Sequence, residues 1–185
     1  MKKILTLLTV VLLGFSVNDA FAQPTTGATT LKVTLSQAQS IVIGQAEVPI
    51  TFSTPSDYIN GKSSGAQASH IKISSTGKFT VLVKGPTTDV ISNGTAADDI
   101  PLAALSLTPA FEMSSTALTN QTFPLAGGPI TIADQALIKA DSGANEAFYS
   151  VNYHIAAGAA GVNVLNRTTG TTSYNAVITY TITPN

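Results

Sequence analysis

The chain has 185 residues, with 10% charged residues and a formal net charge of -1, so it lacks the basic face that nucleic acid binding requires. It contains no cysteine, which excludes a thiol nucleophile, a Cys-type zinc site and disulfide stabilisation. Thr, Ser, Asn and Gly take the place of the missing charges, and this composition is typical of extracellular β-rich proteins.

The first 22 residues have the features of a secretory signal peptide. Met1-Lys2-Lys3 is basic, residues 4–15 form an apolar run of about 12, and Ala20-Phe21-Ala22 supplies small residues for cleavage. The run is shorter than the roughly 20 residues that a membrane span needs. We therefore expect cleavage before Gln23 and a secreted or cell-surface protein, with the periplasm as an alternative location and no membrane span after cleavage.

Residues 23–30 show no apolar period and are predicted to be a flexible leader, followed by one domain over residues 31–185. Leu31, Val33 and Leu35 then alternate with polar residues, which predicts a first strand. A mobile leader followed at once by a strand suggests an assembly strand that adds to the sheet of a neighbouring subunit. The alternative is that this strand pairs within its own domain.

Residues 53–69 lose the apolar pattern and predict a loop, with a short helical turn after Pro55 as one alternative. Tyr58 and Asn60 make this loop the candidate ligand site, because an aromatic ring stacks on sugars and an amide hydrogen-bonds them. Glycan or peptidoglycan is accordingly a candidate partner.

Several shorter patterns predict the middle of the fold. Residues 71–73 and 79–83 alternate on either side of Gly77, which predicts a hairpin. Ala103, Leu105 and Leu107 are predicted to share one face of a strand that Pro109 ends. Ile130 and Ile132 predict a short strand, and residues 133–139 allow about two helical turns.

Two long alternating stretches predict the strongest strands, residues 148–155 and 174–184. We expect them to pair antiparallel and to contribute alternate side chains to the core. The residues predicted to face the core are Tyr149, Val151, Tyr153, Ile155, Tyr174, Ile178, Tyr180 and Ile182. Eight to ten strands, with at most one short helix, predict an all-β antiparallel sandwich of Ig-like or Greek-key type, with a closed barrel as the alternative.

Catalytic and metal-binding patterns are weak in this sequence. His70 and His154 are predicted to lie before a strand and on a solvent-facing side of a strand, and no Gly-x-Ser-x-Gly elbow is present. Asp98 and Asp99 form an acidic pair for which a calcium ion and a solvated turn are both open interpretations. We predict a non-enzymatic protein without a cofactor.

Three segments together resemble bacterial cell-surface β-sandwich domains of the WxL kind. They are the strand Phe79-Thr-Val-Leu-Val-Lys, the turn Asn93-Gly94 leading to Ile100-Pro-Leu, and the closing residues 174–183, where Tyr180-Thr181-Ile182 stands at the position of Trp-x-Leu. The chain is also similar to secreted fimbrial-type subunits. The resemblance implies a structural or adhesive surface protein that associates with itself or with other surface proteins.

Overall fold

A computed structural model describes residues 28–92, 99–158 and 173–185. The chain divides into two compact units, Met1–Leu35 and Ser36–Asn185. The predicted signal peptide lies outside the described residues, as do residues 23–27 of the predicted leader and the Asn93-Gly94 turn. All strands of the described part belong to the second unit.

The described residues form nine strands and one α-helix. The elements are β1 (Gln39–Ile43), α1 (Pro55–Asn60), β2 (Lys62–Ser75), β3 (Phe79–Lys84), β4 (Val90–Ile91), β5 (Ile100–Pro101), a 3-10 turn (Leu102–Ala104), β6 (Leu105–Met113), β7 (Gln135–Ala140), β8 (Ala144–Ile155) and β9 (Thr179–Pro184). Every strand pair is antiparallel. The predicted all-β antiparallel class with one short helix is therefore confirmed.

The strands form three sheets. A four-stranded sheet has the order β1-β2-β8-β6, a three-stranded sheet has the order β7-β3-β9, and β4 pairs with β5. Both larger sheets contribute to one hydrophobic core, which makes the arrangement sandwich-like. Its fully buried side chains include Ile71, Ile73 and Val151 from the first sheet and Phe79, Val81 and Ile138 from the second.

Two predicted strand pairings are wrong. The stretches on either side of Gly77 do not form a hairpin, because β2 pairs with β1 and β8 whereas β3 pairs with β7 and β9. For the same reason residues 148–155 do not pair with the closing strand, since β8 lies between β2 and β6. Alternation identifies a strand and its buried face, but it carries no information on which strand lies beside it.

The closing strand is shorter than predicted, although its alternation is correct. Backbone pairing covers only Thr179–Pro184 of the predicted residues 174–184, and an isolated bridge joins Asn175 to Ser92. Side chains of this stretch nevertheless alternate between half-buried and exposed from Tyr174 to Ile182.

Pro109 lies inside β6, so the prediction that it ends this strand is wrong. The pairing of β6 with β8 places Ala104 and Ala156 as a hydrogen-bonded pair, in which the Ala156 N–H donates to the Ala104 carbonyl at 2.9 Å. Even-numbered residues of β6 therefore point their N–H groups at β8, and odd-numbered residues point theirs away from it. Proline is tolerated at position 109 because its missing N–H would have faced the sheet edge.

Three further local predictions fail. Residues 133–139 are not helical, because β7 begins at Gln135. Ile130 is buried but Ile132 is 53% exposed, and neither belongs to a strand. Ala103 is exposed within the 3-10 turn, so it does not share the buried face of Leu105 and Leu107.

The predicted loop at residues 53–69 is mostly regular structure. The α1 helix begins at Pro55, where the alternative prediction placed a short helical turn. Strand β2 already begins at Lys62. Thr54 and Asp57 form a capping box at the start of α1, and Asp57 also binds the Lys62 ammonium group at 2.8 Å. These hydrogen bonds, led by the one from Lys62, hold the pKa of Asp57 well below its usual range.

Candidate functional site

The apolar segment, which we define as residues 31–35, is the most exposed aliphatic stretch of the described chain. Leu31 is 84% exposed, Val33 66% and Leu35 90%. The structure assigns it no strand, so the predicted first strand is wrong for the isolated chain. Its residues alternate in character, as a strand requires, but no neighbouring strand is paired with them.

One edge of the four-stranded sheet, the outer side of β1, has no hydrogen-bonded strand in the described residues, although β9 comes within 8 Å of β1, Cα to Cα. The Gly44 N–H donates to the His70 carbonyl at 2.8 Å, and the Thr76 N–H donates to the Ala38 carbonyl at 3.0 Å. These bonds show that the backbone N–H and C=O groups of the even-numbered residues of β1 point toward β2. The N–H and C=O groups of Gln39, Ile41 and Ile43 consequently point away from the sheet.

The opposite edge of this sheet is covered. Ile130 donates its N–H to the Leu105 carbonyl at 2.9 Å, and Gly127 donates its N–H to the Leu107 carbonyl at 2.9 Å. The next outward position is Pro109, which has no N–H. The outer edge of β6 is thus occupied or blunted over much of its length.

An edge of the three-stranded sheet is covered in a similar way. Thr122 and Lys139 exchange two backbone hydrogen bonds, of 3.0 and 2.9 Å, along the outer side of β7. No strand is paired with the outer side of β9 within the described residues. At one end of β9, Asn185 donates its N–H to the Lys78 carbonyl, which also accepts from the Gln37 side chain.

Tyr58 and Asn60, the candidate ligand residues, are engaged within the local structure. The Tyr58 ring is half-buried and lies 5.1 Å from the Phe52 ring, centroid to centroid. The Asn60 amide nitrogen donates to the Ser56 hydroxyl at 2.9 Å. The aromatic face predicted for sugar stacking therefore packs against the protein.

An open groove of about 650 Å³ lies at the end of β1 near Ser75. Its polar lining includes Ser40, Ser74, Thr116 and Asn145. Neither an aromatic ring nor a charged side chain lines it. The groove offers hydrogen bonds but neither a stacking surface nor an acid or base.

A buried chain of polar side chains, which sequence reasoning missed, links β2, β8 and β9. The Gln45 oxygen lies 2.6 Å from His70 Nδ1, His70 Nε2 lies 2.6 Å from the Tyr153 hydroxyl, and the Tyr153 and Tyr180 hydroxyls are 2.5 Å apart. We call these four residues the His70 network. It connects a strand of the three-stranded sheet to two strands of the four-stranded sheet.

The proton positions in the His70 network follow from one carbonyl. The Gln45 amide nitrogen donates to the Ala68 carbonyl at 2.9 Å, so the Gln45 oxygen is the atom that faces His70. An amide oxygen only accepts, which places the proton of the neutral ring on Nδ1. Tyr153 must then donate to His70 Nε2, and Tyr180 must donate to Tyr153.

Burial changes the titration of this network. Desolvation lowers the pKa of His70 from its ordinary value of 6.5, which keeps the ring neutral. It raises the pKa of Tyr153 to about 12, opposed by the hydrogen bond from Tyr180. The pKa of Tyr180 is raised further, first by burial and then by Tyr153. Both phenols therefore stay protonated and serve as hydrogen-bond donors at neutral pH.

His70 was predicted to lie before a strand, but it lies inside β2 and is buried. A β-bulge explains its burial. The pairing of β2 with β8 shifts register between Gln67 and Ile71, and Ser69 adopts a φ of 50°. The bulge allows His70 and Ile71 both to point inward, which regular alternation forbids. His70 is 2% exposed and Ile71 is fully buried.

The residues predicted to face the core divide into two groups by strand. Tyr149, Val151, Tyr153 and Ile155 of β8 are buried. Tyr174, Ile178, Tyr180 and Ile182, in β9 and the residues before it, are half-buried and pack against the core. The hydroxyl of the half-buried Tyr180 contacts that of Tyr153.

The structure assembles no recognisable catalytic or metal centre from the described residues. His154 Nδ1 lies 3.0 Å from the Ser63 hydroxyl, but no described carboxylate orients this pair. No cluster of three or more His, Asp or Glu side chains is suited to a metal ion in the part of the chain that the structure describes. Asp99 belongs to that part, whereas Asp98 lies outside it.

Comparison with known protein families and with curated proteins found no match to this sequence. Among the described residues, no helix combines the length and apolar character needed to cross a membrane.

Proposed function

We propose that this protein is a non-enzymatic, secreted bacterial surface subunit, structural or adhesive in role, which assembles by β-strand addition. The observation that carries the proposal is the apolar segment. Its three aliphatic side chains are spaced two residues apart and are 66–90% exposed. Strand addition would cover these side chains and pair the backbone of the segment at the same time.

Burial of the three aliphatic side chains would contribute favourably to association. Burying a Leu or Val side chain contributes about 1.5–3 kcal/mol. Three such side chains, together with new backbone hydrogen bonds, can offset several kcal/mol of lost translational and rotational freedom. An exposed aliphatic row of this kind is otherwise a liability for a protein in solution.

The secreted location is supported by the leader pattern of the first 22 residues and by the low charge. An alternative function is a secreted cell-wall or carbohydrate-binding module, with glycan or peptidoglycan as the partner. It gains no support from Tyr58, whose ring packs on Phe52, or from the groove beside β1, which lacks an aromatic ring.

Negative-stain electron microscopy of two triple variants tests the proposal. Leu31→Asp, Val33→Asp and Leu35→Asp together should abolish the filaments or oligomers that the unaltered protein forms. The matched control places three aspartates at Lys32, Thr34 and Ser36, on the other face of the same segment, and should retain assembly. Equal assembly by the first variant and the unaltered protein would reject the role of the segment.

A further inference from the structure

We propose that the acceptor for the apolar segment is the open outer edge of β1 in a second copy of this chain. This inference rests on the proposed function and names the partner and the surface. It commits to one occupant, residues 31–35 of another subunit, lying beside Gln39–Ile43.

Backbone geometry is the first support. Gln39, Ile41 and Ile43 direct their N–H and C=O groups away from β2, and no described strand pairs with that side. An edge of this kind presents alternating donors and acceptors to an incoming extended chain. The edge carries none of the usual protection, because Gln39–Ile43 contains no charged residue, no proline and no bulge.

The side-chain pattern of the segment matches that edge. Ile41 packs against the core and Ile43, 38% exposed, lies on the same face of β1, whereas Ser40 and Val42 lie on the outer face. An added strand shares the faces of the strand beside it. Leu31, Val33 and Leu35 would therefore cover the flank of the core next to Ile41 and Ile43. Lys32 and Thr34 would remain on the outer face, in contact with water.

The other edges are less suited to receive the segment. The outer edge of β6 is occupied by residues 127–130 and ends in Pro109, and that of β7 is paired with Thr122. The outer edge of β9 has no paired strand among the described residues. Because Asn185 bonds Lys78 of the β3 side, the even-numbered residues of β9 point away from β3, and one of them is Pro184, which lacks an N–H. β1 also exposes an aliphatic side chain on the face that the segment would cover, since Ile43 is 38% exposed.

Site-directed crosslinking tests this pairing without interference, because the natural chain has no cysteine. A full-length Thr34→Cys chain is mixed with a differently tagged chain that carries Ser40→Cys or Val42→Cys, and the mixture is oxidised. We expect the mixed disulfide dimer to form at least fivefold more with one of these β1 positions than with Thr179→Cys on β9 or Thr108→Cys on β6.

Each other result overturns the inference. Preferential crosslinking to Thr179→Cys would assign the acceptor to β9. Equal yields at all positions would indicate non-specific contact. A disulfide that forms only inside a single chain carrying Thr34→Cys and Val42→Cys, and never between mixed chains, would show that the segment folds back onto its own domain.

A blocking variant separates this inference from the proposed function. Ile43→Lys places a charge where an added strand would bury it, so we expect assembly to weaken at least tenfold. Thr108→Lys, an exposed position in the covered edge strand β6, is the matched control and should assemble normally. If the triple aspartate variant of the segment loses assembly while Ile43→Lys keeps it, the proposed function stands and the β1 acceptor is wrong.

Discussion

His70 joins three distant parts of the chain through two ring nitrogens. Its Nδ1 binds Gln45, and its Nε2 binds Tyr153, which in turn accepts from Tyr180. Buried polar groups stabilise a fold only when every donor and acceptor is paired. The neutral, Nδ1-protonated ring meets that condition, whereas a doubly protonated ring would direct its Nε2–H at the Tyr153 hydroxyl, whose own proton points at the ring.

The protein should therefore lose stability in mild acid because of His70. Its pKa is lowered in the folded state, so the unfolded chain takes up a proton first as the pH falls below about 6.5. The contribution of the neutral ring is complete above that pH and declines below it, by at most about 1.4 kcal/mol per pH unit. Urea unfolding between pH 8 and pH 5 measures this decline.

His70→Gln and His154→Gln are the matched variants for this experiment. His70→Gln should be less stable at pH 8 and should show a flatter pH profile below 6.5. His154→Gln, which removes the histidine that binds Ser63 on the outer side of β8, should keep the wild-type decline. A wild-type profile retained by His70→Gln would show that other groups cause the acid sensitivity.

The direction of the hydrogen bonds, from Tyr180 to Tyr153 and from Tyr153 to His70, predicts that two phenylalanine substitutions lower the free energy of unfolding by different amounts. Tyr153→Phe leaves both His70 Nε2 and the Tyr180 hydroxyl without a partner, so it should lower the free energy of unfolding by about 2–4 kcal/mol. Tyr180→Phe removes only the donor to Tyr153 and should cost about 1–2 kcal/mol. Chemical denaturation measures both values, and a larger cost for Tyr180→Phe would contradict the assigned direction.

At the scale of elements, β6 offers two adjacent positions with opposite backbone roles. Pro109→Ala adds an N–H at the sheet edge and removes no bond to β8, so its cost should be limited to the packing of the buried ring, about 1–1.5 kcal/mol. Ala110→Pro removes an N–H that faces β8 opposite Ser150, and it should cost about 1–3 kcal/mol. Thermal or urea unfolding of the two variants compares them. If Ala110→Pro cost no more than Pro109→Ala, the assignment of the even-numbered residues of β6 to the hydrogen bonds with β8 would be wrong.

Bulges limit what periodicity can predict about these elements. Leu137 and Ile138 are adjacent and both fully buried, because the pairing of β3 with β7 shifts register between Val81 and Leu82. His70 and Ile71 owe their shared burial to a similar shift in β2. Adjacent apolar residues break strict alternation, which is why the sequence left a helical turn open for residues 133–139.

At the scale of the whole molecule, the core lies entirely within the second unit. Its buried and partly buried members run from Ile41 to Ile182, and the side chains of the apolar segment are exposed. Deleting residues 1–35 should therefore leave the melting temperature of the monomer within about 2 °C of the full chain. Differential scanning calorimetry at low protein concentration measures it. A fall of more than about 5 °C would show that the segment stabilises its own domain.

The sequence predicts the class of this fold better than its connections. Alternation correctly indicated antiparallel β structure and the inward face of β8, since those depend on local side-chain period. It could not indicate that β9 pairs with β3, because strand order depends on contacts between residues a hundred positions apart. The His70 network was missed for the same reason, together with the bulge that turns His70 inward.

The exposed aliphatic row was partly predictable. Leu31, Val33 and Leu35 were identified from their spacing, but the sequence offered intramolecular pairing as an equal alternative. The structure leaves their side chains exposed and pairs them with no strand of the described chain. That exposure directs attention to a partner outside the subunit.

Sedimentation velocity of the purified chain over a hundredfold range of concentration tests the central claim most directly. Strand addition through residues 31–35 predicts a mass that rises with concentration, and a constant monomer mass for the Leu31→Asp, Val33→Asp, Leu35→Asp variant. A natural chain that stays monomeric at every concentration, or a triple variant that associates as strongly as the natural chain, would contradict it.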